Sequence, residues 1–132
     1  MTAIYTVLKE DEDMSDPVVE EVRSILDGHI ILSRELAAAH HYPAIDVLHS
    51  ASRVMNRVAS PNQMQAAAKV RASMAKHKEI ELLLQLGEYQ AGQDADADLA
   101  IQKIEPIRTL LRQSEQEATP ITEAIAQLEN IF

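Results

Sequence analysis

The sequence predicts a mainly α protein, with a short mixed α/β segment over residues 1–58 followed by a helical bundle over residues 59–132. Three observations predict it. The strand-like apolar runs are short and confined to the first 32 residues, helical spacing of apolar side chains dominates after residue 60, and helix-start and helix-stop residues bracket each spacing pattern. With 132 residues and 46% hydrophobic content, the chain can bury a modest core without staples.

Residues 3–8, Ala-Ile-Tyr-Thr-Val-Leu, are β-branched and aromatic, and read as one strand of a sheet whose other strands are missing. Asp16-Pro17 supplies an N-cap and a proline suited to the first helical turn. Val18, Val19, Val22, Ile25 and Leu26 then run at helical spacing until Gly28. Residues 29–32 form a second strand-like run and residues 33–39 a short helix, which His40-His41-Tyr42-Pro43 breaks. Ser60-Pro61-Asn62-Gln63 is a capping-box pattern. It opens a long helix that carries Ala66, Val70, Met74, His77, Ile80 and Leu84 on one face and closes at Gly87. A second helix, 95–112, has Ala97, Ile101, Ile104, Ile107 and Leu111 on one side, with Pro106 expected to kink it. Thr119-Pro120 opens a third, with Ile121, Ile125, Leu128 and Phe132 at spacings of four, three and four.

Composition excludes several functions. The formal charge is −9, with acids gathered at residues 10–16 and 94–98 and bases scattered, which argues against nucleic acid and for protein partners. Cysteine is absent, so neither a disulfide frame nor a thiolate metal site exists, as suits a reducing compartment. No signal-peptide pattern or membrane-length apolar run occurs, so the sequence reads as cytosolic.

Two metal readings fail on spacing. His40, His41, Asp46 and His49 match no recurrent ligand pattern, and a proline loop intervenes. Asp94, Asp96 and Asp98 with Glu105 imitate a calcium loop, but the sixth position is Leu99 where the turn needs glycine. Acids at that place favour a helix N-terminus instead. No metal site is expected.

The segment Asp27-Gly28-His29-Ile30-Ile31-Leu32-Ser33-Arg34 is followed by His41-Tyr42-Pro43-Ala44-Ile45-Asp46-Val47-Leu48 and then by Ser50-Ala51-Ser52-Arg53-Val54-Met55. Together with the opening Thr2-Ala3-Ile4-Tyr5-Thr6-Val7-Leu8 and Ser15-Asp16-Pro17, these blocks closely resemble the end of the nucleotide-binding domain of type III secretion ATPases. That family is similar to the catalytic subunits of rotary ATP synthases. Further on, Glu81-Leu82-Leu83-Leu84-Gln85-Leu86-Gly87-Glu88-Tyr89 resembles the injectisome branch more than the flagellar one.

The resemblance implies a C-terminal fragment: residues 1–58 as the last part of a RecA-like α/β domain, and residues 59–132 as the C-terminal helical domain. It implies a parent that hydrolyses ATP with Mg2+ as a homohexamer, an ATP-driven translocase serving protein transport and virulence. The parent would lie at the cytoplasmic, inner-membrane base of the secretion apparatus, and would couple hydrolysis to chaperone release and effector unfolding and export. Its implied partners are chaperone–effector complexes, a coiled-coil central stalk and the export gate. Alternatives are a flagellar export or rotary ATPase subunit, and a non-enzymatic helical module that binds chaperone or stalk. No G-x-x-x-x-G-K-[ST] string occurs, so the fragment alone is expected to bind no cofactor and to be inactive.

The same resemblance makes Arg53 an arginine finger acting in trans, because a guanidinium offers a fixed, permanently charged fork to phosphoryl oxygens. It makes Tyr42 an adenine-packing residue, against the alternative of a tyrosine that anchors its loop. Arg34 is either a residue that supports the nucleotide-contacting groups from behind or one paired with a nearby carboxylate. Leu110 lies where relatives close the base pocket, but its surroundings match too poorly for that role to be carried over. His77, Met55, Met64 and Met74 read as packing residues.

Overall fold

The computed structural model describes residues 2–8 and 16–132, and residues 10–15 of the first acidic cluster lie outside the described residues. Helix α1 is Pro17–Ile25, where the Asp16 carboxylate accepts from the amides of Val18 at 2.9 Å and Val19 at 3.4 Å. Strand β1 (Gly28–Leu32) pairs antiparallel with β2 (Ile45–Ser52), and the short helix α2 (Arg34–Ala38), capped by Ser33, lies between them. A single helical turn, α3 (Met55–Val58), leads to the long helix α4 (Pro61–Leu86). Then come α5 (Ala95–Leu111) and α6 (Ile121–Glu129).

The helix starts and stops agree with the sequence reading because they are local chemistry. Ser60 accepts from the Gln63 amide at 3.1 Å, and Gly87 ends α4 in the left-handed region, at φ 70°, where a side chain would be strained. Helix α5 runs unbroken through Pro106 from Ala95 to Leu111. The cost there is one backbone donor, tolerated because Ile107 beside it is completely buried.

Three expectations change. Residues 2–8 form no strand and are exposed, Ile4 at 92%, because a strand needs a partner ladder and the described residues offer none to it. The second strand of the sheet is instead Ile45–Ser52. Ile121, placed on the buried face of α6 by its spacing, is 76% exposed, whereas Ile125, Leu128 and Phe132 are half-buried.

The core lies in the helical half. Ala97, Ala100 and Ile107 of α5 are fully buried, and Ala66, Val70, Ser73 and Ile80 of α4 are buried beside them. The small side chains let the two helices approach closely, and α6 closes over them. The Phe132 ring sits under the ammonium groups of Lys69 and Lys103, at 5.8 and 5.5 Å, while Lys103 also donates to the Ile131 carbonyl at 2.6 Å. At the far end of α4, the Tyr89 hydroxyl donates to Asp98 at 2.8 Å, and burial with this contact pushes its phenol up to about 12. Lys76 pairs with Asp94, the cap of α5, at 3.0 Å. Asp94 and Asp98 of the calcium-like stretch are thus occupied in capping and in holding the α4–α5 loop.

Candidate functional site

The two strands set the positions of the candidate residues. Gly28 pairs with Ser52 and Leu32 with Ile45, so the ends of β2 are separated by the four steps of β1, roughly 13 Å at about 3.3 Å per residue. Arg53 adjoins one end of β2, and Tyr42 precedes the other by three residues. Arg34, the first residue of α2 and exposed, comes after β1 at the Tyr42 end. The structure therefore brings Tyr42 and Arg34 to one end of the strand pair and sets Arg53 at the other.

Arg53 is exposed, and its backbone amide donates to the Asp27 carbonyl at 2.7 Å. Its guanidinium donates to the carbonyls of Ser24 at 2.8 Å and Arg23 at 3.3 Å, at the C-terminal end of α1, where the helix dipole attracts a cation. Close approach of the strands builds this corner, since a Cβ on Gly28 would lie 2.8 Å from the Ala51 carbonyl oxygen.

Tyr42 stands at a cis bond to Pro43, half exposed, with its ring edge-on to His40 at 6.4 Å between centroids. An open groove of about 710 Å³ runs between this loop and the segment after α5, lined by His40, Tyr42, Thr109, Arg112 and Gln113 among others. The Gln113 amide donates to the Tyr42 carbonyl at 2.9 Å and ties the two walls together. His41 behind the groove is buried, and burial, with the charges of Arg112 and Arg108, holds its pKa below the usual imidazole value. The exposed Tyr42 ring on the groove wall offers a flat face for stacking, and Arg112, Glu115 and Glu117 are the charged groups of the lining.

Sequence reasoning missed Arg71, on α4. Its fork donates to the carbonyls of Val47 at 2.6 Å, Leu48 at 3.0 Å and Ser50 at 3.3 Å, while His29 Nε2 lies 3.0 Å from the His49 carbonyl and donates to it. These four carbonyls belong to a bulge. Ile31 pairs with Asp46 and His29 with Ala51, so residues 47–50 stand opposite Ile30 alone. The Asp46 carboxylate accepts from the amides of Leu48 and His49, both at 3.0 Å, and from the His49 ring at 2.7 Å. Against the opposing effect of burial, these contacts hold it below the usual carboxylate range. Of the histidines and aspartate whose closeness in sequence suggests a metal, Asp46 and His49 are committed to each other, while the His40 ring packs against Tyr42. Among the described residues no group of three or more His, Cys, Asp or Glu could hold a metal ion. No local signal marks Arg71, because its partners lie more than twenty residues away.

This architecture, a strand pair from a nucleotide-binding sheet joined to a helical bundle, is that of the C-terminal part of an ATP-synthase-type ATPase. Residues 1–52 match the ATP synthase alpha/beta family nucleotide-binding domain, and residues 59–130 match the T3SS EscN ATPase C-terminal domain. The chain belongs to this family of type 3 secretion system ATPases. It is 57% identical over 113 residues to the type 3 secretion system ATPase of Xanthomonas euvesicatoria, which covers 86% of this chain and 26% of that one. Its fold is similar to the assembled ATPase EscN of enteropathogenic E. coli, with a TM-score of 0.93 at 46% identity over 98% of this chain and 32% of that one. It is similar also to EscN in complex with its central stalk EscO, with a TM-score of 0.82 at 44% identity, covering 87% of this chain and 28% of that one. No helix among the described residues is long and apolar enough to cross a membrane.

Proposed function

We propose that this chain is the C-terminal region of the ATPase that energises type III protein secretion, with residues 1–58 completing the nucleotide-binding domain and residues 59–132 forming the helical domain. The family matches over residues 1–52 and 59–130 support that division. In this reading the parent is a homohexameric ATP hydrolase at the cytoplasmic base of the secretion apparatus. It couples turnover to chaperone release and effector unfolding. The helical half meets chaperone–effector complexes, the export gate and a coiled-coil stalk, the last by similarity to the EscN–EscO complex.

One observation carries the catalytic part. Arg53 and Tyr42 lie at opposite ends of one strand pair, an arrangement suited to serving two nucleotides on two sides of a subunit. ATP with Mg2+ supplies the phosphoryl group, held by the P-loop of relatives, which lies outside this chain. The Tyr42 ring packs on the base in its own subunit, and Arg112 lines the same groove. Arg53 reaches the neighbouring subunit's γ-phosphate after leaving the Ser24 and Arg23 carbonyls. That exchange is favourable, since phosphate oxygens carry the opposite charge and accept two parallel bonds from the guanidinium fork, whereas the carbonyls are neutral. Arg34 supports the Tyr42 end of the strand pair. The test is turnover of the full-length protein with Arg53→Ala and Arg53→Lys, alongside hexamer assembly. A loss of about a thousandfold with hexamers intact is expected for a finger, and turnover within a fewfold of wild type refutes the role.

A further inference from the structure

The geometry points to Arg71 as the residue that positions the arginine finger from the helical domain. This inference rests on the reading of Arg53 as that finger. Arg71 is placed in α4, yet its guanidinium binds no side chain of the bundle; it holds three carbonyls of β2, those of Val47, Leu48 and Ser50. Ser50 is three residues before Arg53, which follows directly on β2, so the fork grips the segment that delivers the finger.

The bulge makes this grip decisive. Across residues 47–50, opposite Ile30 alone, the regular ladder with β1 is interrupted and side chains take over its work. Arg71 and His29 satisfy the four carbonyls. Asp46 accepts from the Leu48 and His49 amides. The Ser50 hydroxyl donates to the Asp46 carbonyl at 2.6 Å and accepts from the Ile31 amide at 2.9 Å. A bulge re-aims the residues that come after it, here Ala51 and Ser52 at the end of β2 and then Arg53 just beyond it. Of the groups that fix this bulge, Arg71 alone comes from the helical half. The planar fork suits the task, since its two nitrogens reach three carbonyls of one strand at once.

Helix α4 is 26 residues, about 39 Å, and fifteen residues, about 22 Å, separate Arg71 from its far end at Leu86. Leu82 and Leu86 at that end are exposed, at 64% and 61%.

The experiment uses the full-length protein with Arg71→Ala, Arg53→Ala and the double variant. It reads kcat and KM for ATP, hexamer assembly, and amide hydrogen exchange across residues 47–53. Arg71→Ala is expected to lower kcat about tenfold with KM within twofold and hexamers intact. Exchange at residues 47–53 should quicken about tenfold, and the substitution should remove nothing further in the Arg53→Ala background. Wild-type kcat, unchanged exchange, or an equal extra loss in the double variant overturns the inference. If Arg53→Ala itself leaves turnover intact, the finger reading falls and this inference with it. If Arg53→Ala is inactive and Arg71→Ala normal, only the inference falls. Should Arg71→Ala not assemble, Arg71→Lys replaces it, because an ammonium lacks the planar fork whose two separate nitrogens reach Val47 and Ser50 on one side and Leu48 on the other. A several-fold lower kcat in intact hexamers then supports the role, and wild-type kcat overturns it.

Discussion

Replacing Gly28 by alanine tests the corner that holds Arg53. The added Cβ would stand 2.8 Å from the Ala51 carbonyl oxygen and 3.4 Å from Ser52 Cα. Both are backbone atoms, so no rotamer change can relieve the contact. The strands must part by roughly half an ångström to restore ordinary packing, and they must do so beside the 2.7 Å bond from the Arg53 amide to Asp27. Overpacking of this kind costs about 1–3 kcal/mol. For a chain of this size each kcal/mol lowers Tm by about 3–6 °C, so the expected fall is roughly 3–18 °C. The same free energy corresponds to about 5- to 150-fold faster exchange of the Arg53 amide. Circular-dichroism melts and hydrogen exchange measure the two quantities. Gly87→Ala is the control: that site is open but has φ 70°, so it should lose only the roughly 1–2 kcal/mol of left-handed strain and leave Arg53 exchange alone. A Tm within 1 °C of wild type together with unchanged Arg53 exchange for Gly28→Ala would refute the close-approach argument.

Ile107→Ala removes the one large side chain that is fully buried, and about 2–5 kcal/mol of stability should go with it in denaturant titrations; a loss under about 1 kcal/mol would place the bundle's core elsewhere. Burial lowers the pKa of both His41 and His77, helped by Arg112 and Arg108 at the first. At the second, Arg108 assists against Glu81 and Glu105. The unfolded chain thus takes up protons near pH 6.5 and the folded one only below it. Stability should be fully present above about pH 6.5 and decline as pH falls through the lowered folded values, and His41→Asn should flatten part of that slope. Tyr42→Ala in the full-length protein should raise KM for ATP about tenfold, from the roughly 1–3 kcal/mol of a base–aromatic stack, and Tyr42→Phe should not; equal losses from both would favour a loop anchor held by the hydroxyl.

What the sequence made legible was the chemistry that acts over three or four residues. Asp16, Ser60 and Gly87 announce the ends of α1 and α4 because each satisfies or frees backbone groups next to itself. The packed face of α4 was readable from spacing, apart from Ser73, whose small size rather than its polarity suits the contact. Strand β2 was not readable. Ile45-Asp-Val-Leu-His-Ser-Ala-Ser lacks a β-branched run, and it is held by Arg71, His29 and Ile31 from elsewhere in the chain. Residues 2–8 mislead in the opposite sense, having strand composition and no ladder among the described residues. At the candidate site, Arg53 and Tyr42 were recognisable by family resemblance. The groove wall at residues 109–117 and the grip of Arg71 are tertiary facts that no spacing encodes.

The join between the two halves differs in kind from the core of the helical half. Ala97, Ala100 and Ile107 meet α4 through apolar contact that is lost only if the bundle opens. The links across the join are instead directional and partly solvated: Arg71 to the bulge carbonyls, and the Gln113 amide to Tyr42. A neutral hydrogen bond contributes about 0.5–1.5 kcal/mol net, and one to a charged group about 1.5–3, less where water competes. Each can be exchanged singly at a cost well below that of unfolding a domain, which is about 5–15 kcal/mol. Movement driven from the helical half therefore concentrates at the join. The join adjoins both candidate residues: Gln113 holds the loop of Tyr42, and Arg71 holds the strand of Arg53. Two separable polar contacts can thus change at the join while the bundle's core stays intact.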